Sequence, residues 1–246
     1  DPNVIVVAGF GRPALWRTGD GGNTWTGPTV TGSPRNYNQA RFAFASESRL
    51  YLALPTTFAL PGLYRSDDAG QSFELLSTLP FGAIAVDPAD ADIVYVGTFN
   101  SSDGLFKSTD GGQTLHDLGQ PGEFSALAVD HLDPQVIYAG AKSGQVIRSL
   151  DGGQTFSPAS AGLKGAGVHG FAQDAHGTLF VWIRGGGLFS SGDGASTWKA
   201  VDTGEALQRS GVEVGRGTIV ADPRHPGRVY VGHGGVIRIQ TGATTK

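Results

Sequence analysis

One short segment recurs five times in this 246-residue chain, and the recurrence limits the fold more than any other property. It first reads Arg17-Thr18-Gly19-Asp20-Gly21-Gly22-Asn23-Thr24-Trp25 and returns as Arg65-Ser66-Asp67-Asp68-Ala69-Gly70-Gln71-Ser72-Phe73. The third and fourth copies run Lys107–Leu115 and Arg148–Phe156, and the fifth is Ser190-Ser191-Gly192-Asp193-Gly194-Ala195-Ser196-Thr197-Trp198. The aligned aspartates, Asp20, Asp68, Asp110, Asp151 and Asp193, are 48, 42, 41 and 42 residues apart. A worn sixth copy starts at Arg238 and has Thr241 where the aspartate belongs.

A second segment precedes each copy. It reads Ile84-Ala85-Val86-Asp87-Pro88 with Ile93-Val94-Tyr95-Val96-Gly97, and recurs around Asp130 with Tyr138, and around Asp222 with Tyr230. Weaker versions are Phe42-Ala43-Phe44 with Leu50-Tyr51-Leu52-Ala53, and Phe171-Ala172-Gln173-Asp174 with Leu179–Trp182. Short β-branched and aromatic runs between turn residues predict strands, and no stretch holds a 3.6-residue period. Each repeat therefore holds four strands, expected in the third repeat at Ile84–Asp87, Ile93–Gly97, Gly104–Ser108 and Thr114–Leu118. A four-stranded unit of about 40 residues, repeated, is the pattern of a β-propeller blade, in which stacking covers the faces that one sheet leaves bare.

The repeated turn has a structural explanation. An aspartate accepts turn N–H bonds, the two residues after it supply positive φ, and the closing Trp25, Phe73, Phe156 or Trp198 packs between sheets. Five aspartates on five separate repeats do not converge on a metal, so no metal or other cofactor is expected. The pattern S-x-D-x-G-x-[ST]-[WF] resembles the Asp-box, or BNR repeat, of sialidases, the sortilin ectodomain, xyloglucan-hydrolysing enzymes and a photosystem assembly factor. The flanking D-P, V-Y-V-G and L-[FY]-[KR]-S segments are most similar to the sortilin and xyloglucanase style. The resemblance covers nearly the whole chain and implies an all-β propeller of antiparallel four-stranded blades.

Six repeats are expected within one domain spanning residues 1–246. The first lacks its opening strand and the last lacks its closing strand, so a partner subunit or a segment of a parent protein is a candidate to complete them. The chain contains neither Cys nor Met, which excludes disulfides, zinc–thiolate centres and thiol nucleophiles, and fits an exported protein (periplasmic, cell-surface or extracellular). A net charge of −4 argues against a main role on nucleic acid, and no apolar run is long enough for a membrane span.

Strand order sorts the charges. The loops between first and second strands, with the repeated turns, collect most aspartates and predict an acidic face. The opposite loops gather Arg12, Arg35, Lys142, Lys164, Arg184, Arg209 and Arg216, with Arg41 nearby. Paired guanidinium bonds suit carboxylate or sulfate groups, so Arg12, Arg35, Tyr37, Arg184, Arg209 and Arg216 are the candidate ligand-binding residues. The expected function is non-catalytic binding of a glycan or protein ligand, an anionic one in particular, at this basic face. The alternative is a sialidase-like or xyloglucanase-like glycoside hydrolase, whose candidate acids on the same face are Asp103, Glu123, Glu205 and Glu213. A third reading is a structural or assembly subunit, with the apolar loop around Phe58 and Leu60 as its contact.

Overall fold

The computed structural model describes residues 3–8, 15–32, 40–55, 60–203, 218–232 and 236–241. These residues form β-strands and turns and contain no helix, as the sequence predicts. The chain divides into two compact units, Asp1–Glu123 and Phe124–Lys246.

The first unit opens with a two-stranded sheet of β1 (Ile5–Ala8) and β2 (Leu15–Thr18). The predicted closing strand of this repeat, around Thr24–Thr26, is only a single bridge between Arg17 and Thr26. The next sheet holds β4 (Arg41–Phe44), β5 (Leu50–Leu54), β6 (Gly62–Ser66) and β7 (Ser72–Ser77) as an antiparallel meander. A fifth strand, β3 (Thr29–Val30), arrives from the previous repeat and lies parallel to β7, with Val30 opposite Phe73. The third sheet is β8 (Phe81–Val86), β9 (Val94–Thr98), β10 (Leu105–Ser108) and β11 (His116–Asp117). Here the first strand starts three residues before the predicted Ile84, and the last shrinks to two residues. The repeated turn takes up the residues just before β11, which leaves little chain to pair.

The second unit repeats the plan. Its first sheet is β12 (Phe124–Val129), β13 (Ile137–Ala141), β14 (Val146–Ser149) and β15 (Ser157–Pro158). Its second is β16 (Val168–Gln173), β17 (Leu179–Ile183), β18 (Gly187–Ser191) and β19 (Lys199–Ala200). Its third has three strands among the described residues, β20 (Thr218–Ala221), β21 (Arg228–Gly232) and β22 (Val236–Gln240).

The second strand of each inner sheet is buried almost throughout because both of its faces are covered. On β17, Leu179, Val181 and Ile183 join Tyr138, Phe189 and Trp198 toward the fourth repeat. The alternate residues Phe180 and Trp182 join Ile219, Val229 and Val231 toward the sixth. β5 does the same, with Leu50, Leu52 and Leu54 on one face and Tyr51 and Ala53 on the other. Each fully buried large side chain contributes about 1.5–3 kcal/mol, so the repeats are held chiefly by their neighbours. The close approach explains the glycine ending the V-Y-V-G segment: a Cβ on Gly140 would lie 2.4 Å from Cγ1 of Val168 in the next repeat.

Candidate functional site

The repeated turn is built on two oxygen hubs. The Ser or Thr two positions before the aspartate is buried in all five copies (Thr18, Ser66, Ser108, Ser149, Ser191). In the fourth copy, Ser149 Oγ donates to Asp151 Oδ1 at 2.7 Å and accepts the Gly153 N–H at 2.8 Å. Asp151 Oδ1 also accepts the Thr155 N–H at 2.9 Å, and Oδ2 accepts the Thr155 hydroxyl at 2.6 Å. The other four copies repeat these bonds. The two residues after each aspartate take positive φ, which Ala69 and Ala195 also adopt in place of glycine. The carboxylates are therefore spent on the turn. The closing residues Phe73 and Trp198 are buried between sheets as expected, whereas Trp25 is exposed.

These bonds hold the carboxylates well below the usual range. For Asp110, Asp151 and Asp193 the hydroxyl and N–H at the fourth following residue, then the serine hydroxyl, bring the pKa to about 2. Asp20 is lowered further, by the hydroxyls of Thr18 and Thr24. Because the folded pKa lies below the unfolded value, this stabilisation is present above about pH 4 and disappears as the pH falls toward about 2. Thermal melts are expected to show a melting temperature that falls steeply across that window, and Asp151→Asn should shallow the slope. An unchanged slope in the variant would contradict this assignment.

A basic residue three positions before the aspartate links one repeat to the next. Arg17 Nε donates to the Ala69 carbonyl at 2.6 Å, and Arg65 Nη1 to the Gly111 carbonyl at 2.9 Å. Arg148 Nη1 bonds the Gly194 carbonyl in the same way. The acceptor is always the residue just after the next turn's aspartate. The N–H of that residue bonds its own repeat, as from Gly111 to the Asp92 carbonyl at 2.9 Å and from Gly152 to Gln135 at 2.9 Å.

The face predicted to be acidic is less so than its aspartate count implies, because Asp87, Asp130 and Asp174 are buried. Asp174 Oδ1 accepts the His176 and Thr178 N–H groups at 3.0 and 2.9 Å, and Oδ2 accepts the Gly227 N–H of the next repeat at 2.8 Å. Asp130 Oδ2 takes the Tyr138 hydroxyl at 3.1 Å and Gln173 Nε2 at 2.8 Å. Burial and then the Asp130 charge push the Tyr138 pKa upward. Among the described residues no cluster of His, Asp or Glu is suited to a metal ion.

The opposite end of the second unit presents a different surface. Three loops meet there: 142–145 between β13 and β14, 159–167 between β15 and β16, and 184–186 between β17 and β18. They are clasped backbone to backbone. The Ala166 N–H donates to the Arg184 carbonyl at 3.0 Å and the Arg184 N–H to the Gly167 carbonyl at 2.9 Å. A Cβ on Gly186 would sit 1.9 Å from the Lys164 carbonyl oxygen, and one on Gly165 2.6 Å from the Arg184 carbonyl oxygen. Lys164 and Arg184 stand exposed on this clasp and Lys142 is half-buried. Arg184 Nε donates to the Ala166 carbonyl at 3.3 Å.

Of the expected ligand-binding residues, Arg184 is the described one; Arg12, Arg35, Tyr37, Arg209 and Arg216 lie outside the described residues, as do Glu205, Glu213 and Phe58. Asp103 is half-buried in the first unit and closes its own loop, accepting Asn100 Nδ2 at 2.8 Å. Glu123 is half-buried directly before β12. Arg41 sits on β4, half-buried, and burial lowers its pKa.

No family model matches the chain, and no curated protein matches it. Solved structures do. The GH74 xyloglucanase from Xanthomonas campestris is 17% identical with a TM-score of 0.72, over 98% of this chain and 43% of that one. The GH74 enzyme from Niastella koreensis is 18% identical with a TM-score of 0.69, over 98% of this chain and 35% of that one. YCF48 from Cyanidioschyzon merolae is 19% identical with a TM-score of 0.58, over all of this chain and 80% of that one. The chain thus spans less than half the length of these GH74 enzymes. These neighbours are β-propeller proteins, and at such identities the likeness bears on fold: the chain has the all-β, repeated-sheet architecture of a β-propeller.

Proposed function

We propose that the chain is a non-catalytic binding propeller that holds an anionic glycan or protein ligand on its basic loop face. The observation that carries this is the three-loop clasp, which fixes exposed Lys164 and Arg184 on a rigid backbone with little conformational freedom left to lose on binding. The repeated turn is taken as the Asp-box and the six repeats as six blades of one domain, the first and last of them incomplete. Its aspartates serve the scaffold and leave recognition to the loops. Its lack of cysteine and methionine fits an exported module.

A glycoside hydrolase is the second reading, favoured by the likeness to GH74 enzymes. It needs two carboxyl groups facing one sugar linkage. Asp103 is bonded into its own loop, which weighs against it as an acid catalyst.

The test is retention on a sulfated dextran resin eluted with a salt gradient. The double variant Lys164→Ala/Arg184→Ala should weaken binding about tenfold, from two partly exposed charge contacts, and elute at lower salt. Elution at the same salt would overturn the assignment of this face.

A further inference from the structure

One of the arginine links between repeats is incomplete, and it lies inside the second unit. Arg65 and Arg148 hold the same position in the second and fourth repeats, three residues before the turn aspartate. Arg65 uses two sides of its guanidinium: Nη1 donates to the Gly111 carbonyl at 2.9 Å, and Nε to Asp67 Oδ2 at 2.8 Å. Arg148 makes only the first kind of contact. Its Nη1 donates to the Gly194 carbonyl and to Ser196 Oγ, the latter at 3.2 Å. Its Nε is buried without an acceptor, and among the described residues nothing accepts from Nη2. The difference comes from one position: Leu150 stands where the second repeat has Asp67.

Nε and Nη2 form the edge of a guanidinium that takes a carboxylate through two parallel bonds. The fifth repeat holds Nη1, so this edge is fixed in direction before any ligand arrives. A buried donor without an acceptor carries a free-energy cost that an incoming acceptor removes.

Two exposed leucines share this end of the fourth repeat. Leu150 is 60% exposed, at a position that is Gly19, Asp67, Thr109 and Gly192 in the other copies. Leu132 is 63% exposed on the loop before β13. The Gly152 N–H bond to the Gln135 carbonyl, at 2.9 Å, ties that loop to the turn that carries Leu150. Acids stand here too: Asp133 and Asp193 are exposed, and Asp151 is half-buried beside Leu150. Their charges oppose a polyanion and favour a ligand that brings one carboxylate among apolar groups.

We propose that this end of the fourth repeat binds a short apolar segment of a protein partner that carries a single Asp or Glu. The partner's carboxylate takes the Nε–Nη2 edge of Arg148, where Asp67 serves Arg65 from within the chain. Its apolar side chains cover Leu132 and Leu150. Leu150 is mostly exposed, so its side chain turns aside from the edge at little cost. The site lies at the opposite end of β13 and β14 from the Lys164–Arg184 clasp and does not depend on it.

The probe is the peptide acetyl-Leu-Glu-Leu-amide, followed through the Nε–H proton resonance of Arg148. This peptide should move the resonance saturably, and acetyl-Leu-Gln-Leu-amide should bind at least about tenfold more weakly because the charged bond pair is lost. Sodium acetate, a carboxylate without apolar flanks, should also bind more weakly than the glutamate peptide. Leu150→Asp supplies the acid from within. It should raise the melting temperature by about 2–4 °C near neutral pH and abolish the peptide response. Its elution from the sulfated dextran resin should not change, which separates this site from the basic loop face. Leu150→Ala leaves the edge open and should bind the glutamate peptide about threefold more weakly. Equal binding of the glutamate and glutamine peptides, or no response to either, would overturn the proposal, and this comparison on the unaltered chain stands whether or not the aspartate variant folds. So would undiminished peptide binding by a folded Leu150→Asp variant, or acetate binding as tight as the glutamate peptide.

Discussion

Replacing Phe180 with alanine is expected to destabilise the second unit by about 3–5 kcal/mol. Phe180 is fully buried at the centre of β17, and its ring lies with Trp182, Leu188, Ile219, Val229 and Val231 between the fifth and sixth repeats. Truncation removes the transfer energy of the ring and leaves a cavity that two facing sheets, each fixed by its own ladder, cannot close. Phe180→Leu should cost markedly less, since most of the volume stays filled. Urea unfolding followed by tryptophan fluorescence reads this directly, because Trp182 belongs to the same cluster. A loss below about 1 kcal/mol for the alanine variant would mean that the cluster does not hold the two repeats together.

Asp174→Ala should cost about 3 kcal/mol, although nothing apolar is removed. The side chain is 2% exposed and accepts three N–H bonds, two from its own loop and one from Gly227 of the next repeat. Alanine leaves those donors without an acceptor in a place where water enters poorly, and each buried unsatisfied group costs about 1–3 kcal/mol. Asp174→Asn keeps one carbonyl oxygen and should lose roughly half as much. Urea midpoints for the two variants provide the check. Equal stability of Asp174→Ala and the unaltered chain would return Asp174 to the solvent-exposed acidic face that the sequence suggests.

That residue also marks the limit of what sequence made legible. The turn motif and the strand runs located the sheets because period-2 burial and fixed turn chemistry are local properties. The hydroxyl hub was visible in the invariant Ser or Thr of the five copies, and the arginine link in the recurring Arg or Lys before it. The arginine's partner was not, since each link reaches some 46 to 52 residues along the chain. Counting aspartates by loop overstated the acidic surface: Asp87, Asp130 and Asp174 turn inward to cap backbone N–H groups. Ser190 shows the same dependence on context. It replaces the linking arginine in the one repeat whose successor has lost the turn aspartate, at Thr241. With no aspartate turn to present the acceptor carbonyl, an arginine there would have no partner of the usual kind.

The basic site was legible only as a charge tally. Arg184 could be named from sequence, but the clasp that carries it depends on glycines from three loops whose backbones touch, and no single loop reveals that. The choice between binding and hydrolysis turns on side-chain convergence, which composition does not contain.

The most direct test of the account is an array of neutral and acidic glycans probed with the chain at low and at high salt, alongside Lys164→Ala/Arg184→Ala, with release of reducing ends measured on every hit. The account predicts selective retention on carboxylated or sulfated glycans, loss of that retention in high salt and in the double variant, and no release of reducing ends. Salt-insensitive binding to neutral glycans accompanied by chain cleavage would contradict it.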